Sequence, residues 1–171
     1  MSELSFQDYY NENFSYCYGC GKLNEHGFKL KSYWEDNHTI AHFTPKPYHT
    51  GGYPGYVYGG LIAAILDCHG NGTAAAAAYK AENRAHDTLP NIRFVTASLN
   101  INFLKPTPMG KVLDLRGDIL EVTNKKVVMK LSLSVEGNTT VEATMVAVSI
   151  PEHWEARKTL RPDWGRKTWR P

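Results

Sequence analysis

One segment of this chain cannot lie on a surface. From Gly59 to Asn83 the sequence reads GGLIAAILDCHGNGTAAAAAYKAEN, and its length and five consecutive alanines predict a helix, although Gly70 and Gly72 weaken its middle. Its first two turns carry no polar stripe, and a helix that is apolar all round is buried. The longest apolar stretch, residues 59–66, is interrupted by Asp67 and falls short of a membrane span. Such a helix needs an apolar surface to cover it.

The remainder of the chain supplies that surface, because it is written in period two. From Val95 to Phe103 the odd positions are Val95, Ala97, Leu99, Ile101 and Phe103, and the even ones Thr96, Ser98, Asn100 and Asn102. Residues 125–136 alternate as cleanly, with Val127, Met129, Leu131, Leu133 and Val135 on one side and Val128 the one exception. Residues 111–122 set Leu113, Leu115 and Ile119 against Asp114, Arg116 and Asp118; residues 141–150 begin alternating and end more apolar. Two weaker strands fall near residues 28–34 and 39–43. Strands with one wet face and one apolar face belong to antiparallel sheets. The connectors at 106–110, Thr123-Asn124 and Gly137-Asn138 are short enough for hairpins. The prediction is an α+β domain of the hotdog kind: a curled antiparallel sheet wrapped around one long central helix. With 171 residues in all, the chain has room for one such domain, over residues 1–150. Residues 1–27 form an N-terminal segment with a Cys17-x-x-Cys20-Gly21 turn, and residues 151–171 a basic tail containing Trp154, Trp164 and Trp169.

Charge narrows the partners. The formal net charge is +2, and the tail alone holds six Lys or Arg against three acidic residues, so the domain is close to neutral. That balance offers neither nucleic acid nor a membrane surface an electrostatic footprint. The first residues, MSELSFQDYYNENF, have no basic start and no apolar run, and three cysteines cannot all pair within one chain. A reduced, cytoplasmic setting is expected.

Asp67 is the residue that asks for a function. A buried carboxylate without partners costs several kcal/mol, so its place in an apolar helix implies either a hydrogen bond that orders the core or a general base or nucleophile in a pocket. Its neighbours at i−4, i+3 and i+4 are Ala63, Gly70 and Asn71, small enough to leave room for a substrate, and this favours the second reading. Gly59 and Gly60 open the same helix, where the first N–H groups have no internal acceptor and carry the positive end of the dipole. With no Cβ in the way, a carbonyl oxygen can approach them as it does in an oxyanion hole. Eight residues separate Gly59 from Asp67, about 12 Å along a helix axis. One carbonyl cannot reach both. If both serve one reaction, the halves come from different subunits, with two central helices antiparallel about a two-fold axis.

The stretch PGYVYGGLIAAILD, followed after the helix by TASLNINFLKPTPMG, resembles the hotdog-fold acyl-CoA thioesterases of the phenylacetate-pathway (PaaI-like) type, and CYGCGKLNEHGFKLKSYW resembles the N-terminal segment of their relatives. The resemblance covers roughly residues 16–150. It implies a homodimer or dimer of dimers (a homotetramer) that hydrolyses an acyl-CoA thioester to free acid and coenzyme A, with coenzyme A entering only as part of the substrate and no separate cofactor. By position it makes Asp67 the base or nucleophile and Gly59, with Gly60 beside it, the binder of the thioester oxygen. Thr96 becomes the hydroxyl that helps hold the attacking water, and Tyr58 and Asn71 border the substrate. The family usually has His immediately before the two glycines, where this chain has Tyr58. A tyrosine lines a pocket and hydrogen-bonds, but it does not titrate near neutral pH.

Other residues receive plainer readings. Cys17-x-x-Cys20, with His26 nearby and Cys68-His69 later, lacks the second spaced pair of a zinc signature, so a turn without metal is expected. His69 faces away from Asp67 and reads as a core histidine. Arg93, Lys105, Lys111, Lys125 and Lys126 are candidates for coenzyme A phosphates or are simply solvated. Two rival functions stay open: a hotdog hydratase or dehydratase, which wants a histidine beside the carboxylate, and a non-catalytic acyl-CoA-binding module, which Tyr58 would suit.

Overall fold

The structure, a computed structural model, describes residues 4–150; the tail expected over 151–171 lies outside the described residues. Six strands and one long helix follow two short 3-10 turns at Phe6–Tyr9 and Glu12–Phe14. The strands are β1 (Ser32–Glu35), β2 (His38–Phe43), β3 (Phe94–Phe103), β4 (Leu113–Val122), β5 (Lys126–Val135) and β6 (Asn138–Ser149), and the helix is α1 (Gly59–Ala81). All pairings are antiparallel, in the order β1-β2-β4-β5-β6-β3. This is the hotdog arrangement that the sequence predicts, one helix held by one sheet.

The alternation in β5 is the clearest cause of that packing. Val127, Met129, Leu131, Leu133 and Val135 are all buried, while Lys130 between them is exposed. Their cross-strand partners continue the apolar layer: Leu133 faces Leu115 on β4, and Met129 faces Met145 on β6. The β5–β6 hairpin turns at Glu136-Gly137, both at positive φ (50° and 79°), the geometry whose twist matches a two-residue hairpin.

Helix α1 is buried on several faces, as an apolar helix must be: Leu61, Ile62, Ile65, Leu66 and the five alanines Ala74–Ala78 are all in the core. Gly70 fixes how closely it approaches the sheet. A Cβ there would stand 2.1 Å from the sulfur of Met145 and 3.1 Å from Leu131 Cδ1. From sequence, Gly70 reads as room for a substrate beside Asp67. Instead, Met145 fills that space, and the glycine serves helix–sheet packing.

Strand β3 departs from its sequence pattern. A bulge between Thr96 and Ser98 shifts the pairing with β6 by one residue. An extra residue in a strand reverses which face the following side chains occupy. Phe94 is therefore buried ahead of the bulge and Thr96 turns toward the helix, whereas Val95 and Ala97, read as inward, are exposed. Beyond the bulge Leu99 and Ile101 return to the packed side. β3 is also an edge of the sheet, paired on one side only.

Candidate active site

Three consecutive residues of α1 point to three different places, as 100° per residue requires. Asp67 faces β3, Cys68 faces the N-terminal turn, and His69 faces β1 and β2. His69 is the core histidine the sequence predicts. It is completely buried, its Nδ1 is 3.0 Å from the Ser32 hydroxyl and its Nε2 3.4 Å from that of Thr39, and burial pushes its pKa down to about 4 despite an opposing hydrogen bond with the Thr39 backbone.

Asp67 is half-buried and partnered. The Thr96 hydroxyl donates to its Oδ1. Asn71 Nδ2, one turn further along α1, donates both to Thr96 Oγ1 at 2.9 Å and to the Asp67 carbonyl at 3.1 Å. The chain Asn71 to Thr96 to Asp67 thus leaves the carboxylate as final acceptor. Burial raises the Asp67 pKa above its ordinary value; the Thr96 bond opposes this, and the Cys17 sulfur adds to it. Asn71 Oδ1, also buried, has no partner among the described residues. Asp67, Thr96 and Asn71, singled out from sequence for different reasons, form one cluster.

The helix start lies apart from them. Tyr58 is the N-cap, and its carbonyl accepts from Leu61 and Ile62, while its side chain caps nothing. The N–H groups of Gly59 and Gly60 donate to no acceptor among the described residues. The two glycines have different reasons. A Cβ on Gly60 would meet the Tyr58 ring at 2.5 Å, so Gly60 makes room for that ring, whereas Gly59 is bordered only by the Phe103 ring at 3.6 Å. In front of them is an open groove of about 630 Å³ lined by Tyr53, Tyr56, Tyr58, Gly59, Phe103 and Lys105, among others, but not by Asp67.

Of the basic residues considered for phosphate contacts, Lys105 alone borders this groove. Lys111 and Lys126 pair with Glu136 and Glu121, at 2.7 and 3.2 Å. Arg93 is buried, with its guanidinium 4.3 Å from the centre of the Tyr10 ring, and so belongs to the core rather than to a ligand surface.

One grouping that the sequence raises and sets aside is brought together by the fold. The sulfurs of Cys17, Cys20 and Cys68 lie within 4.8 Å of one another, although 51 residues separate Cys17 from Cys68. The Cys20 and Cys68 thiols and the backbone N–H groups of Cys20 and Gly19 are directed at the Cys17 sulfur, which lowers its pKa; the same thiol contacts raise those of Cys20 and Cys68. The CxxC pair and Cys68 are visible in the sequence, but their spacing does not show that they meet.

Comparisons with known proteins agree with this architecture. A family model described as the thioesterase superfamily matches residues 54–142. A thioesterase superfamily protein of Shewanella loihica is 49% identical, with 75% of this chain and 96% of that one covered and a TM-score of 0.60. More distant are the PaaI protein of the phenylacetic acid degradation operon of E. coli (12% identity, 72% and 81% covered, TM-score 0.59) and a Streptococcus mutans protein bound to acetyl-CoA (17%, 71% and 88%, 0.58), which share the fold. No curated protein matches the sequence.

Proposed function

Since this chain belongs to the thioesterase superfamily, we propose that it hydrolyses an acyl-CoA thioester to the free acid and coenzyme A, at a site shared between two subunits. The observation that carries the reading is the Asp67–Thr96–Asn71 cluster, a half-buried carboxylate with an oriented hydroxyl donor and an unpartnered amide oxygen beside it.

The thioester oxygen lies toward Gly59 N–H at the positive end of α1, where developing negative charge is stabilised. Tyr58 and the apolar walls of the groove hold the acyl part, and Lys105 stands at its rim. Asp67 takes a proton from water, which adds to the carbonyl carbon; Asn71 Oδ1 accepts that water's second hydrogen bond, and Thr96 keeps the carboxylate aimed. The tetrahedral intermediate then collapses and expels the coenzyme A thiolate, a good leaving group that needs no metal. Direct attack by Asp67, giving an anhydride that water cleaves, uses the same atoms.

Two features support a shared site. Asp67 is absent from the groove at Gly59, and about 12 Å of helix axis separates them. In addition, β3 is an unpaired edge ten residues long with Val95 and Phe103 exposed, a surface that soluble proteins cover. A second copy pairing along β3 brings two helices together as a homodimer, which then forms a dimer of dimers or remains as it is. Acyl-CoA is the expected partner, in the cytoplasm. Among the described residues no helix is long and apolar enough to cross a membrane.

The test is hydrolysis across short, long and aromatic acyl-CoAs by wild type and Asp67→Asn, with sedimentation of the same active protein. Turnover by a dimer or larger species, lost in a folded Asp67→Asn, supports the reading. An active monomer removes the shared geometry. Tight acyl-CoA binding without turnover anywhere in the panel replaces the enzyme by a binding module.

A further inference from the structure

We propose, against the metal-free turn that the sequence spacing suggests, that Cys17, Cys20 and Cys68 form a thiolate site for a zinc-class divalent ion, which ties the N-terminal segment to the central helix beside Asp67. The inference is independent of the proposed hydrolysis and rests on geometry. Zinc bonds thiolate sulfur at about 2.3 Å, which puts neighbouring sulfurs of a tetrahedral site about 3.8 Å apart. The Cys17 and Cys68 sulfurs are 3.5 Å apart, and all three lie within 4.8 Å of one another. None is in a disulfide.

The turn around them is shaped for this. The loop is closed by Gly21 N–H donating to the Cys17 carbonyl at 2.8 Å, and a Cβ at Gly21 would stand 2.5 Å from Cys17 N and Ser15 O. Gly19 is the second requirement. A Cβ there would meet the Cys68 sulfur at 2.2 Å, so glycine is what lets the turn approach the helix closely enough for the third sulfur to join. Three small apolar residues would fill the same space, but packing alone does not explain the convergence of the three sulfurs.

The donor set chooses the ion. Three soft thiolates favour zinc over magnesium or calcium, which take oxygen ligands. Among the described residues no His, Asp or Glu ligand atom joins the three sulfurs, and Cys17 is exposed, so the fourth position faces solvent. A bound ion would clamp the turn, which leads through Leu30 N–H to Gly19 O (3.0 Å) into β1, against α1 one residue from Asp67.

The experiment uses the full chain, purified under reducing conditions without chelator. Elemental analysis is expected to find about one zinc per chain, and cobalt added to the metal-free protein is expected to give tetrahedral d–d bands and thiolate-to-cobalt charge transfer. Cys68→Ser and Cys17→Ser should each weaken cobalt binding by about tenfold or more. Cys17 is exposed, so if Cys68→Ser does not fold, Cys17→Ser decides. The proposal is overturned if reduced wild-type protein gives no charge-transfer band, or if Cys17→Ser binds cobalt as the wild type does. A Cys17–Cys68 disulfide in fresh protein, with no cobalt taken up after reduction, would replace the metal site with a redox pair.

Discussion

The Thr96 hydroxyl donates to Asp67 Oδ1 while accepting from Asn71 Nδ2, so a strand residue holds a helix carboxylate that lies 29 positions earlier in the chain. The arrangement depends on the bulge after Thr96, since without it the alternation of β3 would set Thr96 and the packed residues Leu99 and Ile101 on opposite faces. Three residues from two elements, α1 and β3, meet in one hydrogen-bonded chain, and its consequences can be measured.

Thr96→Val keeps shape and removes the donor. Hydrolysis should fall by about tenfold to a hundredfold, the scale of one hydrogen bond to a charged group, mainly in kcat. The Thr96 bond lowers the Asp67 pKa, so its loss should also move the acidic limb of the rate profile to higher pH. Rates from pH 4 to 9 for wild type and variant check both effects. An unchanged limb and rate would leave Thr96 a structural partner only.

Tyr58 caps α1 with its carbonyl and lays its ring over Gly60, so its side chain is expected to act through shape and its hydroxyl. Tyr58→Phe should retain hydrolysis within about tenfold, one modest hydrogen bond. Tyr58→His should be tolerated and raise the rate if the family's usual histidine is the better pocket residue. Acyl-CoA affinity and turnover for the three proteins give the answer.

Gly70→Ala should destabilise the fold by up to about 2 kcal/mol. Overpacking against Met145 costs about 1–3 kcal/mol, offset by about 1 kcal/mol of improved helix propensity. Denaturant melts will show it as a lower midpoint with an unchanged slope. Gly70→Ala combined with Met145→Ala should recover part of the clash, because the two sites share that space.

His69 makes stability fall on the acid side. Its folded pKa, about 4, lies below the 6.5 of an ordinary histidine, so between those values the unfolded chain takes a proton that the folded one refuses. This contribution is fully present above pH 6.5 and is lost as pH falls toward 4, in total about 3 kcal/mol. His69→Gln, able to hydrogen-bond Ser32 or Thr39, should be less stable at neutral pH and flatter across that window. Parallel melting curves at pH 7, 6, 5 and 4.5 measure the difference in slope.

The sequence by itself determined the hotdog fold, because its two signals are local: a period of two repeats within each strand, and an apolar helix declares its burial in a few turns. Asp67 was legible for the same reason, since a carboxylate in that helix stands out without knowledge of its neighbours. What only the tertiary structure decided depends on contacts between distant segments. The bulge in β3 turned Thr96 toward Asp67 and Val95 outward, reversing the face that strict alternation predicts. Met145 claimed the space at Gly70, and the Tyr58 ring claimed the space at Gly60, where sequence saw only small residues leaving room. The three cysteines came together because α1 carries Cys68 to a turn 51 residues earlier, at a point where Gly19 permits close approach. No spacing rule along the chain encodes that meeting, because it arises when the helix is laid against the sheet and the N-terminal segment folds over its exposed side.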